Sequence, residues 1–369
     1  MSDLSPVERQ MRFWLVTLVV LLIGLYFLRG ILLPFVAGLA LAYLLDPVAN
    51  RLQKLGMGRL TASVVILLLF VLAFILVLLL LMPIVVNQLG AVIQNLPATA
   101  QRIQWLAKDY GGPIIERLGG PEALTNLERS LSDFVGQAAS WLGTFASSLW
   151  SGGQAVIGIF ALLVVTPVVA FYMLVDWEQM VTAVDSWLPR RSADTIRTLA
   201  REMNRAIAGF IRGQAVVCLI LGTFYAVALS MLGLNFGLLI GLISGALTFI
   251  PYVGSFTGFV LAVGVALVQF WPEWPMIAAT LGVFFFGQFV EGNILSPKLV
   301  GDAVGLHPVW LMFALVAFGS LFGFVGLLLA VPIAAAIGVL TRFALQRYLA
   351  SPLYRGPTTE DKPRIHLDV

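Results

Sequence analysis

Residues 61–86, TASVVILLLFVLAFILVLLLLMPIVV, form an apolar run of about 25 residues with no charge anywhere in it. As an α-helix rising about 1.5 Å per residue, the run outreaches the roughly 30 Å hydrocarbon core of a bilayer. Leu, Val and Ile occupy it on all sides and leave no polar face for water. Such a helix is solvated by lipid. The remaining sequence agrees, with 60% hydrophobic and only 11% charged residues among 369 and a mean hydropathy of +0.96. Soluble domains run at about 45–50% apolar and about 25% charged. The expected fold is therefore an all-α, polytopic helical membrane protein with about eight membrane segments.

Upstream, residues 13–28 and 31–45 are two apolar arms separated by Arg29-Gly30. Each is roughly 24 Å long as helix, short of a full crossing. Either both span, with Arg29 snorkelling at an interface, or the pair dips in and returns; two crossings are the favoured reading. The N-terminal stretch imitates a signal peptide, but no small-x-small cleavage site follows, so residues 1–86 read as retained membrane segments. Asp46-Pro47 most simply ends a helix at the interface.

Downstream the character changes. Residues 87–153 are polar overall and helically periodic, with an amphipathic helix from Leu124 and an earlier helix over 84–106 that Pro97 should kink. This segment is expected outside the cytoplasm, packed on itself, lying on the membrane surface or docked on a neighbouring subunit. Residues 154–175 span again and 176–205 form a charged cytoplasmic loop with five Arg and five acids. Residues 206–341 make the core, and 342–369 are a charged cytoplasmic tail. Of the 22 Lys and Arg residues, 16 fall in the stretches that share one side if both termini face the cytoplasm, which sets that orientation in a bacterial inner membrane.

Several function classes drop out. No basic stripe stands apart from the membrane flanks, so nucleic acid is not an expected partner. The single Cys218 and the two histidines, His307 and His366, offer no disulfide framework, metal site or cofactor ligand set. His-Glu-x-x-His, Gly-x-Ser-x-Gly and Walker-type patterns are lacking, so an enzyme or ATP-driven pump is not expected.

The core holds the informative feature. Residues 236–250 and 256–270 are short apolar pieces around Pro251-Tyr252-Val253-Gly254, and 309–321 and 324–340 are a second pair around Gly323-Phe324-Val325-Gly326. An offset of 72 residues lays one break on the other, with Gly233-Leu234 falling on Gly305-Leu306. In lipid an unpaired backbone N–H or C=O costs several kcal/mol, so a broken helix survives only inside protein or beside a watery cavity. Paired breaks of this kind point to a transporter's binding site. The bland alternative is two hairpin turns at the membrane surface.

Glu291 is the leading pathway residue, a carboxylate ending an apolar run, where an ionisable group is a functional hypothesis by default. Its bland alternative is an interfacial pair with Lys298. Arg212 can pair with Glu291 or contact an anionic group but reads slightly better as a snorkelling cation. Gln214, Gln288 and Asn293 can line a path or hold helices together, and Lys298 is a further pathway candidate. Pro251, Gly254, Gly323, Gly326 and Pro332 shape backbone, while Asp302 and His307 read as loop residues.

Several stretches resemble the autoinducer-2 exporter family, also described as PerM-like permeases. They are FIPYVGSFTG (249–258), VEGNILSPKLVGDAVGLHP (290–308) and LFGFVGLLLAVPIAA (321–335), supported by LPFVAGLALAYLLDPVANRL (33–52) and FIRGQ (210–214). The resemblance implies a homo-oligomer that exports a small quorum-sensing signal in some members, and sodium- or lithium-for-proton antiport in others. The expected function is multi-pass transport of a small polar solute, with sodium or protons as further candidate partners. The competing class is a non-transporting membrane scaffold.

Overall fold

The computed structural model describes residues 6–110, 153–301 and 305–355, with a few further helical positions between 129 and 140. The expected amphipathic helix from Leu124, Asp302 and the tail beyond residue 355 lie outside the described residues. Ten helices are described: α1 (Pro6–Phe27), α2 (Leu32–Lys54), α3 (Arg59–Tyr110), α4 (Gly153–Ser186), α5 (Ala193–Met231), α6 (Gly237–Leu247), α7 (Val253–Phe270), α8 (Trp274–Val290), α9 (Pro308–Ala350) and α10 (Pro352–Arg355). A turn of 3₁₀ helix at Arg29–Ile31 joins α1 to α2, and a π-helical stretch, Glu291–Val300, prolongs α8. No strand occurs among the described residues. Among the described residues, seven helices are long and apolar enough to cross a membrane. The chain is an all-α polytopic membrane protein.

Four local expectations change. α2 runs through Pro47 to Lys54, so Asp46-Pro47 does not end a helix. The Asp46 carboxylate is instead held by Asn50 one turn on and by Arg59. The span at 61–86 and the polar helix after it are one 52-residue helix, α3, which runs through Asn87 and Pro97. The charged stretch 176–205 is mostly helix, since α4 continues to Ser186 and α5 begins at Ala193. Residues after Glu291 are π-helical rather than a loop. His307 lies in the non-helical turn before α9, as expected, and caps it by accepting from the Val309 amide.

The chain divides into two compact units. In the unit of Leu33–Val175 and Gln214–Leu299, α2 and α4 pack through Leu41, Ala42, Leu45, Ala49, Ala170 and Leu174, with Ile66 and Phe70 of α3 against them. Gly38 admits α4 so closely that a Cβ there would overlap Val169. At one end of this trio the Arg59 guanidinium donates to the Leu174 carbonyl (2.6 Å), Asn50 (2.5 Å), Gln53 (3.0 Å) and Asp46 (3.0 Å). Arg suits this place because its planar fork offers five donors at once. The outer face of α3 is left to lipid: Leu68 is 63% and Leu79 68% exposed. Only a bilayer solvates such a surface without penalty.

In the unit of Met1–Leu32, Asp176–Gly213 and Val300–Val369, α9 folds back on itself at Gly323, whose φ of 60° and ψ of −137° leave the helical region. The fold-back is read from Gly326, which lies against the Phe318 carbonyl, and from Gly319 against Leu327. At the feet of the two arms Arg342 donates to the Gly305 carbonyl and Gly338 packs on Leu306. Pro332 is buried within the second arm. Arg197 joins Asp185 across the α4–α5 turn in a two-pronged ion pair (2.7 and 2.8 Å).

Candidate functional site

Three glycines of α6, Gly237, Gly241 and Gly245, recur every fourth residue and so share one face. A Cβ on them would overlap Leu229, Ala226 and Gly222 of α5 in turn, all main-chain positions. The descending order of partners makes α6 antiparallel to α5 at backbone contact, the close approach that small residues permit in membranes. α6 has 11 residues, about 16 Å of helix, and cannot cross a core of roughly 30 Å. The chain turns at Thr248–Tyr252 and α7 returns alongside, because Gly258 meets Ser244 and Gly254 meets the Thr248 backbone. Tyr252 takes a left-handed φ of 67° at this tip.

The tip is sealed by protein. Ile250 and Val253 donate their amides in tight turns to Leu247 and Ile250. Buried Gln214 of α5 donates from Nε2 to the Thr248 carbonyl at 2.6 Å, Thr248 Oγ1 donates to the Ser244 carbonyl at 2.8 Å, and Ser244 Oγ donates to the Gly254 carbonyl at 3.1 Å. Every side chain in this chain of bonds is buried. The main-chain groups that a break sets free are thus paired as the hydrocarbon demands. Gln214 holds the break rather than lining an open path.

The outer end of the hairpin is tied as well. Phe236 caps α6 with no side-chain bond of its own. Gln88 of α3 supplies the missing acceptor, taking the Leu239 amide at 3.1 Å. Gln269 of α7 donates to the Gly233 carbonyl (2.8 Å) and accepts from the Asn235 amide (2.7 Å), and Arg102 of α3 donates to the Gln269 carbonyl (3.1 Å). The half of α3 beyond the apolar run is therefore fastened to the α6–α7 hairpin.

Glu291 stands at the junction of α8 and its π-helical extension, half-buried, accepting from Gln288 Nε2 at 2.8 Å. That bond, and not one to Lys298, is its contact; Lys298 is exposed on the same stretch. Cys218 of α5 brings its carbonyl to Gly245, three residues ahead of the tip. π-Helical turns widen a helix and recur at functional sites. Asn293 donates to the Phe289 carbonyl of its own helix. Arg212 is half-buried on α5 and belongs to the other unit. Glu291 and Gln288 come together, then, while Asn293 and Gln214 are held by backbone.

The second break repeats the first in part. Gly233 and Gly305, 72 residues apart, both take left-handed φ (69° and 53°), and Gly254 and Gly326, at the same offset, both press on the arm before them. The tips differ in cover. Gly323 is exposed, and Arg29 reaches the Leu321 carbonyl beside it at 3.4 Å while lying over the Tyr26 ring. Arg29 is thus more than a snorkelling cation, since it meets the carbonyl end of a half-helix. A further groove between α3 and α4, about 530 Å³ and lined by Val64, Leu68, Ile75, Pro167 and Phe171 among others, is apolar and suits acyl chains rather than a polar solute.

The sequence reading missed Ser244, Thr248 and Tyr225. The fourfold glycine step in α6 was the signal that this face is packed, and the polar residues beside it followed from that.

Two interrupted hairpins and a half-buried carboxylate coincide with a match to the model of the AI-2E family transporters over residues 15–346. The chain belongs to this family. Among relatives, it is 31% identical over 319 residues to the putative transport protein YrrI of Bacillus subtilis, covering 85% of this chain and 86% of that one. It is 32% identical over 334 residues to the putative permease PerM of Escherichia coli, covering 87% and 90%. The AI-2 transport protein TqsA of Escherichia coli is 24% identical over 327 residues, covering 87% and 88%. As an AI-2E family transporter the chain is a multi-pass membrane transport protein, and the scaffold alternative loses its ground.

Proposed function

We propose that this AI-2E family transporter moves a small polar solute out of the cell across the bacterial inner membrane, through a path that includes Glu291 and Gln288 beside the α6–α7 tip. The observation that carries the reading is the sealed break at Thr248–Tyr252 with a half-buried carboxylate on the neighbouring helix. A broken helix inside protein provides non-helical backbone at depth, and a carboxylate there binds polar groups that lipid rejects. The name of TqsA supports a solute of the autoinducer-2 kind. The family resemblance supports a homo-oligomer, and the Lys and Arg distribution supports both termini in the cytoplasm.

Uptake of autoinducer-2 into proteoliposomes tests the reading, run with and without imposed sodium and proton gradients. Glu291→Gln keeps the size and the Gln288 contact but removes the charge, and should lower the rate by tenfold or more while assembly is unchanged. Equal rates for wild type and variant remove Glu291 from the pathway. Flux of sodium against protons, with none of the signal, replaces export by antiport.

A further inference from the structure

The groove of about 530 Å³ between α3 and α4 is lined by apolar side chains alone. Val64, Leu68, Val71 and Ile75 form its α3 wall, and Pro167 and Phe171 belong to α4. Thr166, the polar neighbour of Pro167, turns its hydroxyl away and donates to the Pro34 carbonyl of α2 at 3.2 Å. With no side-chain donor or acceptor on its walls, the groove holds neither ordered water nor a polar solute.

Its length is that of one leaflet. From Val64 to Ile75 the α3 wall runs about 16 Å, half of a hydrocarbon core of roughly 30 Å. Just past the Val64 end, Arg59 reaches over to the Leu174 carbonyl, one turn beyond Phe171, and ties α3 to α4. The same guanidinium donates to Asn50, Gln53 and Asp46 of α2. A cluster this polar belongs at the headgroups, so the groove runs from that level toward mid-membrane. Arg51 and Lys54 adjoin Asn50 and Gln53 in the last turn of α2, and both are exposed. Asp46 is matched to Arg59, which leaves the end of α2 positive. Asp176 and Glu178 follow Leu174 along α4, so the α2 side of the mouth is the one that suits an anion.

We propose that the α3–α4 groove binds one acyl chain of an anionic phospholipid from the cytoplasmic leaflet, with the lipid phosphate held by Arg51 and Lys54. The leaflet follows from the Lys and Arg distribution, and the site is separate from the Glu291 pathway. Ordinary lipid contact, as along the outer face of α3, requires neither a recess nor cations at its end. Here both occur on one trio of helices, and each cation near a membrane surface favours anionic lipid. A lipid seated there braces α3, the helix whose Gln88 and Arg102 hold the α6–α7 hairpin.

Native mass spectrometry of the full chain in detergent, titrated with phosphatidylglycerol or with neutral phosphatidylcholine, tests this. Wild type should keep one phosphatidylglycerol per protomer under activation that strips phosphatidylcholine. Leu68→Trp fills the groove from a position already 63% exposed, so it should fold as wild type and lose that lipid. Leu72→Phe, on the same wall, should do likewise, with both variants melting at the wild-type temperature in lipid-free detergent. Arg51→Gln combined with Lys54→Gln should weaken phosphatidylglycerol binding tenfold or more, roughly the scale of two lost surface cations, and leave phosphatidylcholine unaffected. Retention of the lipid by both filled variants overturns the groove as its site. Equal retention of the two lipids by wild type overturns the anionic headgroup, and unchanged affinity in the double variant overturns the role of Arg51 and Lys54. Filled variants that change the oligomer's mass but not its lipid count put a second copy of the chain in the groove and overturn the proposal.

Discussion

At the scale of the residue, the hairpin tip depends on Gln214. Its amide is the partner of the Thr248 carbonyl, and both are buried. Gln214→Leu preserves volume but strands that carbonyl, a loss of about 1–3 kcal/mol. The variant should melt several degrees lower in detergent, and Gln214→Glu, which keeps acceptors but loses the N–H donor, should not rescue it. A Leu variant as stable as wild type means that another group satisfies Thr248. The sequence named Gln214 and Glu291 as polar residues in apolar surroundings, and that much follows from composition along the chain. Which of them faces a carbonyl and which a neighbouring amide depends on a partner 34 residues away in one case and three in the other. Only the local pair follows from helical spacing.

Elements carry the next level. α6 folds as a helix although three of its 11 residues named above are glycine, because each lets the α5 backbone approach and exchanges lost propensity for contact. The break itself was legible: Pro251 and the short arms announce it. Its depth was not, since 236–250 carries only Ser244 and Thr248 as polar residues and the helix stops at Leu247 for tertiary reasons, where Gln214 bonds the Thr248 carbonyl. The link from α3 is equally tertiary. Gln88 caps α6 from a position 151 residues upstream, so Gln88→Ala should speed hydrogen exchange at the α6 N-terminus while leaving α3 protected. Exchange confined to its wild-type rate at residues 237–240 would show that Gln88 does not hold this end. Arg102→Ala is expected to loosen the α7–α8 turn at Gln269 and Trp271 in the same experiment.

For the molecule as a whole, the surface identifies the solvent. α3 keeps a stripe of leucines exposed along its length, and Phe285, Phe286 and Phe289 of α8 are each more than half exposed. In water such a surface would aggregate, and in lipid it is ordinary. Topology is testable on a Cys218→Ala background with single cysteines. Positions 57 and 188, in the α2–α3 and α4–α5 turns, should be labelled from the same side as the N-terminus by a membrane-impermeant maleimide. Positions 235 and 273, in the α5–α6 and α7–α8 turns, should be labelled from the opposite side. Labelling of 57 and 235 from one side contradicts the orientation drawn from the Lys and Arg distribution.

What the sequence by itself determined is the solvent and the two interrupted segments, around Pro251 and Gly323, but not where the other helices end, since α2 runs through Pro47 and α3 through residue 86. Hydrophobicity is a sum over residues, and the limits imposed by proline and by left-handed glycine are local. The tertiary structure decided which side chains complete each break: Gln214 at one tip, Arg29 at the other, Gln88 at the mouth of the hairpin, and Tyr225 held in the notch at Gly287. Those assignments need hydrogen-bond partners far apart along the chain to meet in space, and helical periodicity carries no information about which distant helix lies alongside.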